Sequence, residues 1–140
     1  MLMKTVLLAM ILSWDSAGYY GRGLDVSVLE YNNYESCNQM SNMLGIMDVM
    51  HPNRSTIETD HQNFCFNYES TNDPMMESWD LAIQVAIVNA NSRPIDRNFI
   101  RGYTNYSTCK EHEDMINSIR FANNSGVVVD AACVSNYVPE

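Results

Sequence analysis

Two histidines stand beside carboxylates and are the first residues of this chain that could carry chemistry. His112 lies within the acidic segment 111–114, and His61 follows Asp60. Imidazole and carboxylate groups are common ligands of zinc and copper. Asp60 and His61 lie in a strand-like segment where consecutive side chains point to opposite faces, so they cannot chelate one ion together. The remaining metal hypothesis is a composite Cu or Zn site of His61 and His112. The alternative is that the acidic residues around His112 only complement a helix N-terminus.

Methionines form a second set of candidate ligands. Four of the chain's ten methionines recur at spacings of three and four residues, which places them on one helix face: Met40, Met43, Met47 and Met50. Thioether clusters select Cu(I), whereas flexible methionine side chains also fill hydrophobic cores. The spacing predicts a helix and favours the core role.

Sequence patterns typical of hydrolases and nucleotide-binding enzymes are missing. The chain contains no Gly-x-Ser-x-Gly, no His-Glu-x-x-His and no glycine-rich phosphate loop. Its 8 basic against 17 acidic residues give a net charge of −9, which disfavours binding to nucleic acid or to anionic membranes. We therefore assign no catalytic residue and no cofactor, and favour a non-enzymatic protein.

The N-terminus has the pattern of a secretory signal peptide. Lys4 precedes an apolar run over 5–12, and the small residues Ser16, Ala17 and Gly18 follow. The run is much shorter than the roughly 20 residues that a membrane-spanning helix needs. We predict a signal peptide at 1–18 and a single exported domain at 19–140, periplasmic or secreted, with no stable membrane insertion after signal removal. A buried N-terminal strand or helix is the alternative.

Export would place the four cysteines in an oxidising compartment, where an even number of thiols indicates disulfides. Three connectivities exist for two bridges. Within each half of the chain, a strand that folds back along a helix returns its cysteine to the helix start, so we predict Cys37 with Cys65 and Cys109 with Cys133. The alternative joins the two halves, with Cys37 bound to Cys109 and Cys65 bound to Cys133.

An internal repeat is the most informative pattern. Residues 31–37 match residues 103–109 at an offset of 72, in the order Tyr, Asn, Tyr and Cys, and apolar helix positions continue the match. Each copy shows a capping box, from Ser36 to Gln39 and from Thr108 to Glu111. The first helix is expected to end at 51–53 and the second at 123–126.

These elements predict an α+β fold. Strand-like segments at 24–31, 57–66, 79–88 and 127–134 surround the two helices and give the order β-α-β-β-α-β. That order is typical of a ferredoxin-like sandwich, with two helices on one face of a four-stranded sheet. Repeat one spans about 24–68 and repeat two about 79–137, each held by one disulfide.

Two residue groups are candidates for binding a protein partner. Tyrosine is a frequent interface residue, and four tyrosines are duplicated just before the two helices: Tyr31, Tyr34, Tyr103 and Tyr106. Three arginines recur every four residues and would share one face of a helix: Arg93, Arg97 and Arg101. Self-pairing with the acidic middle of the chain is their alternative role. The sequence predicts a binding or inhibitor module for an envelope or extracellular protein, with a metal-handling protein or small metal-dependent enzyme as the alternative.

Overall fold

A computed structural model describes residues 2–15, 23–49, 57–87, 95–121 and 126–136. Within these ranges the elements are β1 (Leu2–Asp15), β2 (Gly23–Tyr31), α1 (Tyr34–Val49), β3 (Ile57–Ser70), β4 (Trp79–Ile87), β5 (Ile95–Tyr103), α2 (Tyr106–Asn117) and β6 (Val127–Ser135). Neither of the two helices in these ranges has the length and apolar character needed to cross a membrane.

All six strands belong to one antiparallel sheet in the order β2-β1-β3-β5-β4-β6. The chain therefore divides into two halves with the same element order, β-β-α-β. In each half the first strand lies in the middle, the second and third flank it, and a helix connects the flanking strands. The flanking strands run parallel to each other because both are antiparallel to the middle one.

The two middle strands, β1 and β4, occupy equivalent places. Leu7 of β1 lies opposite Cys65 of β3, and Leu81 of β4 lies opposite Cys133 of β6. Each of these cysteines is bonded to the cysteine in the first turn of the preceding helix. The shared order and register agree with a duplication, which stays a prediction.

The α+β class is confirmed, but the sheet differs from the expected ferredoxin-like one. It has six strands instead of four, because the segments 2–15 and 95–103 also form strands. The sequence predicts a signal peptide for the first segment, and for the second it predicts that Arg97 and Arg101 share one face of a helix. β1, which comes from the predicted signal peptide, lies between β2 and β3, so the sheet is not the expected four-stranded one.

Residues 2–15 adopt the alternative that the sequence allowed, a buried N-terminal strand. Val6, Leu7, Leu8 and Met10 are each at most 2% exposed. Alternation sends Leu7 to one face and Val6, Leu8 and Met10 to the other, and both faces are covered. Removal of this segment as a signal peptide stays a prediction.

The two halves of the sheet meet at a narrow junction. Within the described ranges, Ser70 and Tyr103 form the one residue pair between β3 and β5. The Thr71 amide donates to the Gly102 carbonyl at 2.9 Å, and the Thr104 amide donates to the Glu69 carbonyl at 3.1 Å. From this junction the sheet curls, so that β2 packs against β5 although two strands lie between them in the sheet.

One hydrophobic cluster fills the space between the halves. It joins side chains of β1, β3, β4, β5, β6 and α2, including Leu8, Phe66, Leu81, Ile100 and Ile116. A smaller cluster lies under α1, on the opposite face of β1, around Leu7, Ala9 and Cys37. Each helix therefore covers one face of the middle strand of its own half.

Both helices begin earlier than the capping boxes predicted. Asn33 accepts a hydrogen bond from the Ser36 amide at 2.8 Å, and Asn105 accepts from the amides of Ser107 and Thr108. The duplicated asparagines are thus the N-caps, because an amide oxygen at that position satisfies the unpaired donors of the first turn. The helix α2 ends at Asn117, before the expected stop at 123–126. The stop expected for α1 at 51–53 lies outside the described residues.

Candidate partner-binding face

The two disulfides are the pairs expected within each half. Cys37–Cys65 and Cys109–Cys133 each join Cα atoms that are 6.1 Å apart. Cys37 and Cys109 are completely buried. Among the described residues there is no free cysteine, so these thiols have a structural role and supply no nucleophile there.

The two candidate metal ligands are not brought together. His61 lies on β3 with the side-chain parity of Cys65, whereas the ring of His112 packs at 4.6 Å from that of Phe66, on the other face of the strand. Among the described residues, no group of three or more His, Cys, Asp or Glu side chains is placed to hold a metal ion. Of the four methionines predicted to share one helix face, Met40 packs against the cluster between α1 and β1, and Met43 is exposed. Met50 lies outside the described residues.

His112 belongs instead to a buried aromatic cluster at the junction of the halves. The Tyr103 hydroxyl lies 2.7 Å from His112 Nδ1, and the rings of Tyr68 and Tyr103 stack at 4.1 Å. Burial lowers the pKa of His112, and burial raises the pKa of both tyrosines. These groups are therefore held neutral at physiological pH, which is typical of packing at a core junction.

The duplicated tyrosines divide into two structural roles. Tyr103 is completely buried and Tyr31 is half-buried against the cluster under α1, so both serve packing. Tyr34 and Tyr106 are 46% and 48% exposed. Tyr106 packs its ring 5.5 Å from that of Trp79. Only the second tyrosine of each copy is available to a partner.

The arginines of the candidate set lie on a strand instead of a helix. Arg97 and Arg101 belong to β5, and Arg93 lies outside the described residues. Because a spacing of four is even, a strand also places Arg97 and Arg101 on one face, with Phe99 between them. Phe99 is 43% exposed.

These three residues form part of an exposed sheet surface on the outer side of β5, β4 and β6, which we call the Phe99 face. Register places Ala82 between Phe99 and Ala132, and Gln84 between Arg97 and Asp130. The members of the Phe99 face are Ala82, Gln84, Arg97, Phe99, Arg101, Asp130 and Ala132. Small alanines in the centre leave a shallow depression of about 210 Å³ beside the phenylalanine ring.

Hydrogen bonds and an ion pair fix the orientation of Arg101. Its Nη1 lies 3.1 Å from Oδ2 of Asp80, and Oδ1 of the same carboxylate accepts from the Gly102 amide at 2.9 Å. The guanidinium carbon lies 4.6 Å from the centre of the Phe99 ring. The arginine side chain is still 66% exposed. An exposed phenylalanine with an arginine held over it is a preorganised pair, because neither side chain has to be ordered when a partner binds.

Arg97 has the freer guanidinium of the two. Its Nε donates to Gln84 Oε1 at 3.4 Å, and within the described residues no carboxylate forms an ion pair with it. Arg101 thus pairs with a carboxylate of the chain itself, whereas the guanidinium of Arg97 is able to bind another carboxylate.

The equivalent surface of the first half is not exposed. On β1 the side chains with the parity of Ala82 and Gln84 are Leu8 and Met10, and both are completely buried between the halves. The first half therefore uses this face to contact the second half, whereas the second half presents the same face to solvent. At the corresponding positions the second half carries Ala82 and Gln84 instead of large apolar residues, which limits the apolar area exposed to solvent.

The outer edge of β6 beside this face is blocked by side chains of α2. The Asn117 amide accepts from the Ala131 amide at 2.7 Å and donates to the Ala131 carbonyl at 3.0 Å. Glu113 Oε1 accepts from the Cys133 amide at 2.9 Å, and Lys110 donates to the other oxygen of Glu113. An unpaired strand edge invites pairing with another chain. These contacts occupy backbone groups of Ala131 and Cys133 that could otherwise pair with another strand.

The chain matches no protein-family model, and neither the curated proteins nor the solved structures contain a match to it.

The sequence indicated Arg97 and Arg101 of this face but not Phe99, nor the members on β4 and β6. The signal was present, because Arg97, Phe99 and Arg101 alternate with period two, as the exposed face of a strand does. The spacing of four was assigned to a helix, which drew attention to the arginines alone.

Proposed function

We propose that the protein is an exported, disulfide-stabilised, non-enzymatic binding module that holds a protein partner on the Phe99 face. Two disulfides are compatible with a small domain that works outside the reducing cytosol. On this basis we place it in the periplasm or outside the cell.

The observation that carries this proposal is the exposed Phe99 ring with the Arg101 guanidinium held over it. Aromatic residues and arginine are enriched among the residues that contribute most to protein binding energy. Here the Phe99 ring stands beside a depression that is also lined by Ala82 and Ala132.

The chemistry of the face defines the partner. The depression accepts an aliphatic or aromatic side chain, which would pack against Phe99 and Ala82. Arg97, without an ion-pair partner among the described residues, would bind a carboxylate. The partner is therefore expected to present a bulky apolar residue close to Asp or Glu.

A peptide-display selection on the full, oxidised chain tests this function. The peptides recovered should share a bulky apolar residue next to an acidic one. Phe99→Ala and Arg97→Ala should each weaken binding of such a peptide by about tenfold or more, since truncating a central interface residue costs on the order of 2 kcal/mol.

Tyr34→Ala is the matched control, because Tyr34 is an aromatic residue with nearly the same exposure as Phe99 and lies elsewhere. It should leave the affinity unchanged. A selection without a consensus, or a consensus peptide that binds Phe99→Ala as tightly as the parent, would refute the proposed function.

A further inference from the structure

The strand β1 occupies a slot between two other strands of its half. It pairs with β2 from Thr5 to Ser13 and with β3 from Leu2 to Asp15, antiparallel on both sides. Its backbone groups are therefore used on both edges along most of its length. A segment in this slot gains the largest number of main-chain hydrogen bonds that a single strand can make.

The slot is apolar on both faces. Val6, Leu8 and Met10 enter the main cluster beside Phe66, and Leu7 and Ala9 enter the cluster under α1. Lys4 forms an ion pair with Glu30 of β2 at 3.2 Å, at one end of the apolar stretch. The slot thus selects an extended segment with aliphatic side chains on both faces and a basic residue at its N-terminal end.

The walls of the slot are held together without β1. The helix α1 connects β2 to β3 along the chain, and the Cys37–Cys65 disulfide bonds its first turn to β3. The Asn33 cap fixes the turn between β2 and α1. None of these covalent and local contacts involves a residue of β1.

We propose that the slot between β2 and β3 is a strand-binding site. In the full chain, residues 2–15 fill it. In a chain cleaved after Gly18, it takes an extended, apolar segment of a protein partner by strand addition. This inference rests on the exported state in the proposed function, but not on the Phe99 face. Cleavage at the predicted signal site would convert an internal strand into a vacant position for a partner's strand.

Strand exchange in the full chain tests this inference. A protease site is placed within 16–22, the oxidised protein is cut there, and its N-terminal fragment is released in urea with both disulfides intact. On dilution from urea, a labelled peptide of residues 2–15 should bind the remainder in a one-to-one complex and restore the melting transition of the uncut protein.

Two variant peptides define the specificity of the slot. The Leu8→Asp peptide should bind about tenfold more weakly or worse, because it would bury an unpaired carboxylate between the halves. The Leu2→Asp peptide is the control, since Leu2 is 64% exposed and lies opposite Ser70, and it should bind like the parent.

The strand-binding site is refuted if the remainder melts like the uncut protein without any peptide, if it fails to bind the parent peptide, or if the Leu8→Asp peptide binds equally well. Phe99→Ala in the same protein should leave strand uptake unchanged. Failure of strand uptake is therefore distinguishable from failure of binding at the Phe99 face.

Discussion

At the scale of single residues, two buried ionisable groups of α2 have pKa values that burial and hydrogen bonds shift. His112 and Glu113 are both 8% exposed, and they contact different elements. The imidazole lies against Phe66 and Tyr103, and the carboxylate bonds Lys110 and the Cys133 amide. Adjacent positions of one helix therefore link α2 to both halves of the fold.

We expect His112 to reduce stability as the pH falls below neutrality. Its pKa is lowered from 6.5 by burial, so the unfolded chain takes up a proton near pH 6.5 while the folded chain resists it. The contribution to the free energy of unfolding is complete above this pH and is lost as the pH falls towards the folded pKa. His112→Gln should flatten the dependence of urea unfolding between about pH 7 and pH 5. An unchanged slope in the variant would contradict this role.

Glu113 should act at lower pH and in the same direction. The hydrogen bond from Lys110 and that from the Cys133 amide lower its pKa from 4.5. Its contribution is present above 4.5 and is lost as the pH falls through the lowered value. Glu113→Gln should reduce the free energy of unfolding at neutral pH by about 1 kcal/mol and have less effect in acid. Asp114→Asn, at an exposed neighbour, is the control and should be nearly neutral. Equal losses in the two variants would contradict the role of the Glu113 carboxylate charge.

At the scale of the elements, the helix starts are set by the duplicated asparagines. Asn33→Ala and Asn105→Ala should each lower the free energy of unfolding by about 1 kcal/mol, because each removes the acceptor that caps a first turn. Asn38→Ala, at an exposed site inside α1, provides the control for chemical unfolding. Caps at Ser36 and Thr108 would instead be indicated if Ser36→Ala and Thr108→Ala produced the larger losses.

The junction between the two halves depends on Gly102. Its φ is +82°, and a Cβ built there would lie 2.6 Å from the carbonyl oxygen of Thr71. Gly102→Ala should therefore lower the free energy of unfolding by about 2 kcal/mol or more, because it strains the backbone and displaces Thr71, the residue that follows β3. Gly126 also has a positive φ, at 73°, so Gly126→Ala measures the backbone strain separately. Thermal unfolding that ranks Gly102→Ala no lower than Gly126→Ala would contradict the close approach at the junction.

At the scale of the whole molecule, the two halves have the same element order but use the same sheet face in different ways. In the first half, the sheet face that α1 does not cover contacts the second half. The corresponding face of the second half carries Phe99 and is exposed. The same architecture therefore supplies both an internal interface and an external surface. The difference lies in a few side chains. Leu8 and Met10 are buried on this face of the first half, whereas Ala82 and Gln84 occupy the corresponding positions of the exposed face in the second half.

Local signals in the sequence predicted the local structure well. The Tyr-x-Asn-Tyr-x-x-Cys pattern lies at both helix starts, although the N-caps are Asn33 and Asn105 and not the predicted Ser36 and Thr108. Strand pairing between distant segments was not accessible in this way, because the apolar run over 5–12 has the same composition whether it is a leader or a buried strand. Its place beside β3 follows from contacts with residues about sixty positions away, such as Leu7 with Cys65. The exposed face was missed for a related reason, since helix and strand both place residues four apart on one side.

The most direct test of the central claim is to map where a selected peptide binds on the full chain by amide chemical shifts. Binding at the Phe99 face predicts shifts concentrated at Ala82, Gln84, Phe99 and Ala132, with little change at Tyr34 and Tyr106. Shifts concentrated at the helix starts or along β2, with the Phe99 face unperturbed, would contradict it.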